Sequence, residues 1–239
     1  MSHATGRLFL IPVVLAPDTA HRVISPEIRE ILPQIHHFYV ENVRTARRFI
    51  SSLQLGLNIP ELQFAVLDKK TKAPALKGML DLLAAGQNVG IMSEAGCPGI
   101  ADPGSLAVRL AHENGLEVVP LAGPSAMFLT LMASGFNGQS FTFHGYLPID
   151  KKERQQRIHE IEKESARLRR TQLFMETPFR NDSLFQDLLK HAHPETALCV
   201  AAEITSENAF IQTKKIHEWK KAVPELHKRP TVFALYAAD

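Results

Sequence analysis

The sequence lacks the features that mark several common classes of protein. Its two cysteines, Cys97 and Cys199, are far apart and follow no metal-ligand spacing, so neither a disulfide framework nor a metal site is expected. This cysteine usage fits a reducing cytoplasm. The motifs GxxxxGK[ST] and GxGxxG are both absent, which argues against the common phosphate-binding loops.

Long apolar runs are absent as well. No run reaches the roughly 18 residues that a membrane span requires. The apolar run from Leu8 to Ala16 is short and has no strongly basic flank, so we predict a buried strand there and not a signal peptide. The formal net charge of +2 is too small to indicate a nucleic-acid partner by itself, although basic residues can cluster after folding.

What is present is a regular alternation of elements over 239 residues, enough for one large domain or two of ordinary size. Up to about residue 147, strand-like runs alternate with helical segments of about 10–15 residues, which predicts βαβ units and a mostly parallel sheet. From residue 148 onward a highly charged helix is followed by strands with fewer helices between them. The sequence therefore predicts two α/β domains, 1–147 with a mostly parallel sheet and 148–239 with a mixed sheet.

Two strand ends in the first half carry small, rigid loops. The first is "SEAGCPGIADPG", Ser93 to Gly104, with three glycines and two prolines. The second is "PLAGPSA", Pro120 to Ala126, where Ser125 either caps a helix or faces a ligand. In parallel sheets, ligands bind at the carboxyl ends of strands, and glycine lets a ligand approach the backbone closely. Loop 93–104 is therefore predicted to be a binding site, with a plain tight connection as the alternative.

These two loops, followed by "FHGYLP", resemble the tetrapyrrole-methylase superfamily of S-adenosylmethionine-dependent methyltransferases. The nearest resemblance is to the branch that methylates a cytidine 2′-hydroxyl of small-subunit ribosomal RNA. The first loop matches that branch at seven positions: Ser93, Ala95, Gly96, Pro98, Asp102, Pro103 and Gly104. It departs from the branch at Glu94, at Cys97, which stands in place of a threonine, and at Ala101. "FMETPFR", "AAEIT" and "VENVR" resemble further segments of the branch.

The resemblance implies two α/β domains with S-adenosylmethionine in a cleft between them, S-adenosylhomocysteine as product, and a homodimer. It implies a cytoplasmic enzyme of ribosomal RNA processing that acts on RNA or the small ribosomal subunit, with no metal and no membrane. The positions carried over as donor contacts are Pro12, Gly96, Cys97, Ile100, Ser125, Ala126, Met175 and Ile204. Met175 and Ile204 would contact the donor through their backbone.

A hydroxyl acceptor also needs a base, for which Glu41 and Glu176 are candidates. Each also has a purely structural alternative. Glu41 would form an ion pair with Arg44, and Glu176 would be a structural carboxylate at the end of a strand. Asp102 precedes Pro-Gly and is interpreted as a turn residue. Of the basic segments, "RTARRF" is the better RNA candidate, because acids interleave the basic residues of the charged segment "IDKKERQQRIHEIEKESARLRR" and favour a solvated helix there.

One difference from the RNA-methylating branch bears on the identity of the acceptor more than on donor binding. After the first strand the RNA-methylating branch has a glycine and an asparagine, and this chain reads "PVVLAPDTA", Pro12 to Ala20. Two alternatives therefore stay open beside an RNA methyltransferase: methylation of a tetrapyrrole or other small molecule, and a divergent protein that binds the donor or its product without turnover.

Overall fold

The computed structural model describes residues 4–237, which divide into two units, 4–125 and 126–237. Each contains one five-stranded sheet with helices on its faces. The predicted fold class, two α/β domains with one parallel and one mixed sheet, is confirmed. The segment "PTVFALYAA" predicts a last strand over 230–238, and its final residue, Ala238, lies outside the described residues.

The first unit contains strands β1 (Leu8–Leu10), β2 (His37–Val40), β3 (Gln63–Val66), β4 (Val89–Met92) and β5 (Val118–Pro120). Its helices are α1 (Ala20–Val23), α2 (Pro26–Ile31), α3 (Val43–Ser52), α4 (Lys77–Ala84) and α5 (Ser105–Glu113). The strands lie in the order β3-β2-β4-β1-β5, and all their pairings are parallel. All five carboxyl ends therefore lie at one edge, where loops 93–104 and 120–125 begin.

Both faces of this sheet are buried. Neighbouring strand residues alternate between two apolar clusters, so Phe9 packs with Phe38 on one face and Leu8 packs with Val89 on the other. Helix α3 contributes Phe49 and Ile50 to the first cluster. Coverage on both faces is the usual condition for a parallel sheet, and it leaves the strand ends free to form a site.

The second unit contains β6 (Phe141–Tyr146), β7 (Thr171–Glu176), β8 (Ala197–Ala202), β9 (Phe210–Lys215) and β10 (Thr231–Tyr236). Its helices are α6 (Ala126–Ser134), α7 (Lys151–Leu168), α8 (Asn181–His191) and α9 (Ile216–Trp219). The strand order is β6-β7-β10-β8-β9, with β6 and β7 parallel and the other pairs antiparallel. Trp219 is fully buried, and its indole N–H donates to the carbonyl oxygen of Leu198 at 2.9 Å.

The two units divide between Ser125 and Ala126, earlier than the predicted domain boundary at 147/148. The domain ranges 1–147 and 148–239 stay a prediction. Helix α6 belongs to the second unit because Leu131 packs with Leu173 and Cys199 on its sheet. Strand β6 belongs there because it pairs with β7. An aromatic, extended segment such as β6 carries no signal of which sheet it joins.

Helix starts follow the sequence closely. The segment "SPEIREILPQI" predicts a helix with Ser25 as N-cap and Pro26 in the first helical position. In the structure the Ser25 hydroxyl accepts the N–H of Ile28 at 3.3 Å at the start of α2, and Pro26 occupies that position. Asn42 caps α3 by accepting the N–H groups of Arg44 and Thr45. Local hydrogen-bonding chemistry thus fixes where α3 begins, directly after the end of β2.

Candidate active site

The loop after β4 is closed on itself. Gly96, Gly99 and Gly104 all have positive φ angles, of 70°, 81° and 143°. The N–H of Gly99 donates to the carbonyl oxygen of Pro103 at 3.1 Å, and a Cβ on Gly104 would lie only 3.0 Å from the Gly99 nitrogen. Side chains are therefore excluded from the inside of this turn, and the backbone itself forms its surface.

This loop packs against the end of β1. The N–H of Val13 donates to the carbonyl oxygen of Gly96 at 2.9 Å, which forms an isolated antiparallel bridge beyond the ends of β1 and β4. A Cβ on Gly96 would lie 3.1 Å from Leu15 Cδ2 and 3.4 Å from the carbonyl oxygen of Pro124. Gly96 is therefore restricted by its φ angle and by its neighbours together.

The loop after β5 approaches the same place. The Cys97 thiol lies 3.4 Å from the carbonyl oxygen of Pro124. A Cβ on Gly123 would lie 2.2 Å from the Cβ of Pro12, a distance that real atoms do not adopt. Three strand ends, those of β1, β4 and β5, therefore meet through backbone and small residues.

A cavity of about 670 Å³ opens beside this meeting point. Its lining is mostly apolar and comes from β1, the loop after β4, α5 and β5: Leu10, Pro12, Cys97, Pro98, Gly99, Ile100, Ser105, Val108, Arg109, His112, Glu113, Pro120 and Leu121. Three of the predicted donor contacts, Pro12, Cys97 and Ile100, are among them. Its size and lining are those of a small-molecule site.

The α5 wall of this cavity was not predicted. Ser105, Val108, Arg109 and His112 recur at helical spacing on the first turns after the glycine loop, and this spacing is the signal that could have found them. Arg109 lies 3.6 Å from Glu113 across one helical turn, and both side chains are exposed. The cavity thus combines an apolar lining with a few polar groups on one side.

Carboxylates gather at the same edge of the sheet, outside the cavity lining. Burial raises the pKa of Asp102 to about 6, with a further contribution from the negative charge of Glu41. Burial also raises the pKa of Glu41, as does the charge of Glu94, while Lys69 opposes both shifts. Glu41 and Asp102 are therefore close enough for their charges to interact. No local sequence pattern indicates the raised pKa of Asp102, because the burial of its carboxyl depends on tertiary packing.

Ser125 ends the first unit and is partly buried, directly after the buried Pro124. Ala126 begins α6, and its carbonyl oxygen accepts the hydroxyl of Thr130 at 2.7 Å. Neither lines the cavity described above. Their roles as donor contacts stay predictions.

In the second unit, Met175 lies near the carboxyl end of β7, and Ile204 directly follows β8, at the same end of the sheet. Strand β10 runs between β7 and β8, and its Val232 pairs with Met175 on one side and with Ala201 of β8 on the other. Ile204 follows β8 and is flanked by Glu203 and Thr205, both at positive φ, 50° and 77°. A β-branched residue at positive φ stores backbone strain, which proteins keep mainly at functional positions.

Glu176, the other predicted base, has a wholly buried side chain. Its Oε1 accepts the guanidinium of Arg180 at 2.6 Å and the N–H of Thr177 at 2.7 Å. Its Oε2 has no hydrogen-bond partner among the described residues, nor does the buried Oδ1 of Asn181. Buried polar atoms of this kind are usually satisfied by water or a bound molecule.

Two structural findings concern metals and membranes. Residues 4–237 hold no group of three or more His, Cys, Asp or Glu side chains arranged to bind a metal ion. None of the helices in that range is long and apolar enough to cross a membrane.

Comparison with known proteins identifies a family. The profile of the Tetrapyrrole (Corrin/Porphyrin) Methylases matches residues 12–219. A relative named Ribosomal RNA small subunit methyltransferase I, from Vibrio cholerae, is 32% identical over 195 residues, which is 82% of this chain and 65% of the relative. The protein of the same name from Xylella fastidiosa is 31% identical over 182 residues, 76% of this chain and 63% of its own length. The matched part of the chain thus spans slightly less than two thirds of these relatives.

Solved structures share the fold at low identity. The methyltransferase CobJ superposes with a TM-score of 0.64 at 16% identity, covering 98% of this chain and 95% of that protein. Diphthine synthase superposes with a TM-score of 0.66 at 13% identity, covering 97% and 89%. Likeness at this identity establishes the fold alone.

Proposed function

Because the chain belongs to the tetrapyrrole methylase family, as its loop motifs predicted, we propose that it is an S-adenosylmethionine-dependent methyltransferase. We propose the RNA of the small ribosomal subunit as acceptor and a ribose 2′-hydroxyl as the methylated group. The observation that carries the proposal is the cavity at the meeting of three strand ends, where family-matched positions and glycine backbone come together. The names of the relatives support the acceptor class.

The residues present fit the donor. An apolar cavity of about 670 Å³ suits an adenine ring and a thioether, and the glycine turn offers backbone at close range. Cys97 replaces the threonine of the RNA-methylating branch, and its thiol is a small hydrophobic group that preserves the apolar lining. The bound donor would supply an activated methyl group, and the chain's own part would be to position the acceptor and exclude water.

Of the two candidate bases, Glu41 fits better than Glu176. Glu41 is partly exposed at the end of β2, and its pKa is raised towards the range in which a base works. Glu176 is wholly buried against Arg180, so an acceptor hydroxyl would have to enter the protein to reach it. We propose that Glu41, coupled to Asp102, takes the acceptor proton and that Glu176 fixes Arg180.

The departure after β1 is accommodated in the fold. The hydroxyl of buried Thr19 donates to the carbonyl oxygen of Ala16 at 2.7 Å, and Asp18 adopts a positive φ of 59°. The "PVVLAPDTA" segment is thus a folded turn held by its own hydrogen bond. This supports a loop that remains ordered beside the site.

The first experiment is calorimetric titration with S-adenosylhomocysteine. We expect micromolar binding, one molecule per chain, that weakens at least tenfold in Gly96→Ala, because the new methyl group would press on Leu15 and Pro124. Gly115→Ala is the matched control, since Gly115 has a similar φ of 66° but no atom near the added Cβ. Absence of binding to the wild-type protein at millimolar ligand would refute the proposal.

The acceptor is tested separately by tritium transfer to small ribosomal subunits from cells that lack the gene. We expect labelled RNA, and we expect no transfer to a porphyrinogen. Transfer to the porphyrinogen alone would identify a small-molecule enzyme, and donor binding without any transfer would identify a non-catalytic protein. The cytoplasmic location and the homodimer are further proposals, and sedimentation of the purified chain tests the second.

A further inference from the structure

Helix α3 carries three arginines on one face. Arg44, Arg47 and Arg48 are all exposed, and their spacing of three and four residues places them side by side. The opposite face is buried in the core through Ala46, Phe49 and Ile50. The arginine face of α3, defined by Arg44, Arg47 and Arg48, therefore points away from the core.

Among residues 4–237, no carboxylate forms an ion pair with this face. Helix α3 contains no aspartate or glutamate, and none of the three guanidinium groups has a carboxylate within ion-pair distance among the described residues. Other arginines of the chain do have such partners: Arg109, Arg154, Arg157, Arg170, Arg180 and Arg229. Like charges three and four residues apart destabilise a helix, so the arrangement is unfavourable for the free protein. It becomes favourable when an anion binds.

One member of the face is held in place. The guanidinium of Arg47 stacks over the ring of Phe64, 5.2 Å from its centroid. Such a stack restricts the side chain and leaves the N–H groups at the guanidinium edge available. Less conformational entropy is then lost when this arginine binds a phosphate.

The face begins beside the candidate site. The hydroxyl of Thr45, on the first turn of α3, donates to Glu94 Oε1 at 3.3 Å. Glu94 belongs to the loop that contains Gly96 and Cys97, and its charge acts on Glu41. An elongated ligand on the arginine face would therefore run up to the edge of the sheet where the proposed base lies.

We propose that the arginine face of α3 binds the phosphate backbone of the RNA acceptor and guides the strand to Glu41; this inference rests on the proposed function. Arginine forks match phosphate oxygens, and a row of unpaired guanidinium groups suits a polyanion. Helix α7 is the natural comparison. Its lysines and arginines alternate with glutamates, and Arg154 and Arg157 are already paired.

The test is RNA binding as a function of salt, with naked small-subunit ribosomal RNA as the probe. In the variant R44Q/R47Q/R48Q we expect affinity to fall roughly tenfold to a hundredfold, and the slope of log affinity against log salt to decrease by about 2. The charge-matched control is K151Q/K152Q/K163Q on α7, whose slope should match that of the wild type. R44K/R47K/R48K should keep the slope, because the slope counts charges.

Folding and donor binding are checked in the same samples. Glutamine is a good helix former and its neutral side chain relieves the repulsion between the arginines, which offsets the lost stack on Phe64. The arginine variant should therefore be about as stable as the wild type and should bind S-adenosylhomocysteine unchanged. An arginine variant with wild-type salt dependence, or an equal loss in the α7 control, would overturn the inference.

Tritium transfer by the wild type separates this inference from the proposed function. If transfer persists while the arginine variant binds RNA normally, only this inference fails. If the wild type binds RNA through α3 without transferring methyl groups, the proposed function fails.

Discussion

At the scale of single residues, the tightest constraint in the candidate site is the contact between Gly123 and Pro12. We predict that Gly123→Ala lowers the free energy of unfolding by about 1–3 kcal/mol, because a rigid proline ring cannot yield to the added Cβ. It should also weaken S-adenosylhomocysteine binding, since Pro12 lines the cavity. Urea unfolding and calorimetry measure the two effects.

Gly78→Ala is the matched control. Gly78 lies inside α4, where an added Cβ would meet only the Tyr39 hydroxyl at an ordinary 3.5 Å. Alanine is the better helix former, so this variant should be as stable as the wild type or more so. Equal stability of Gly123→Ala and the wild type would show that the strand ends do not pack as described.

Asp102 gives a prediction about pH. Its pKa is raised from 3.8 to about 6 in the folded protein, so the neutral form is the one that the fold favours. The corresponding stability is present below pH 3.8 and is lost as the pH rises through about 6. Asp102→Asn keeps a neutral side chain and should be more stable than the wild type above pH 7, by about 1 kcal/mol. This gain in the free energy of unfolding is smaller than the full pKa shift would correspond to, because the carboxyl is partly exposed to solvent.

The measurement is urea unfolding of both proteins between pH 4 and pH 8. The difference should vanish near pH 4 and grow through pH 6. A difference that is constant with pH would mean that the substitution acts on the turn and not on the charge. Methyl transfer should also decrease in Asp102→Asn if the pair with Glu41 takes the acceptor proton.

These residues show what a sequence reveals at this scale. Ser25 and the glycine loop were predictable because capping and positive φ are local properties. The raised pKa of Asp102 and the complete burial of Glu176 were not, because both depend on side chains brought together from distant segments.

At the scale of elements, α7 differs from its prediction. The sequence indicated a solvated helix held by ion pairs along its surface, and the prediction was wrong for Arg154. This side chain is 3% exposed, forms an ion pair with Asp187 on α8, and donates to the carbonyl oxygen of Ile149 at 3.1 Å. Glu162 accepts the Thr196 hydroxyl at 2.6 Å and so ties the other end of α7 to the start of β8. Charge alternation alone does not tell an exposed face from one that docks on a neighbouring helix.

The junction of α7 and α8 carries a stability prediction. Arg154→Ala should lower the free energy of unfolding by about 3–5 kcal/mol, because Asp187 and two backbone carbonyl groups lose their partner. Lys152→Ala, on the exposed face of the same helix, should cost less than about 0.5 kcal/mol. Equal costs in urea unfolding would show that Arg154 is not the link between the helices.

Element order was predicted better than element pairing. Alternating strands and helices indicated a parallel sheet, because a parallel crossover needs a long connection. The strand order β3-β2-β4-β1-β5, with β4 beside β1, is fixed by packing over the whole unit. This order places the ends of β1 and β4 side by side, and the candidate site depends on it.

At the scale of the whole molecule, each unit contains one residue whose labelling or fluorescence reports the state of that unit. Cys97 is the half-buried thiol of the first unit, whereas Cys199 is fully buried in the second. We predict that a fluorescent maleimide labels Cys97 alone in the native protein, slowly because burial raises the pKa of its thiol. S-adenosylhomocysteine should slow the labelling further, since Cys97 lines the cavity. Labelling of Cys97 at the same rate with saturating ligand would place the donor elsewhere.

Trp219, the single tryptophan, reports the core of the second unit. Trp219 reports unfolding of the second unit, and the exposure of Cys97 reports unfolding of the first. If Arg154→Ala lowers the midpoint of the Trp219 transition and leaves the Cys97 transition unchanged, the two units unfold separately. With S-adenosylhomocysteine at 100 times its Kd, a bound unit gains about 2.7 kcal/mol. We predict that the Cys97 transition reports this gain, because Cys97 lines the cavity. The Trp219 transition should move with it only if the two units unfold together. A Trp219 transition that moves while the Cys97 transition stays in place would contradict the assignment of the donor to the cavity of the first unit.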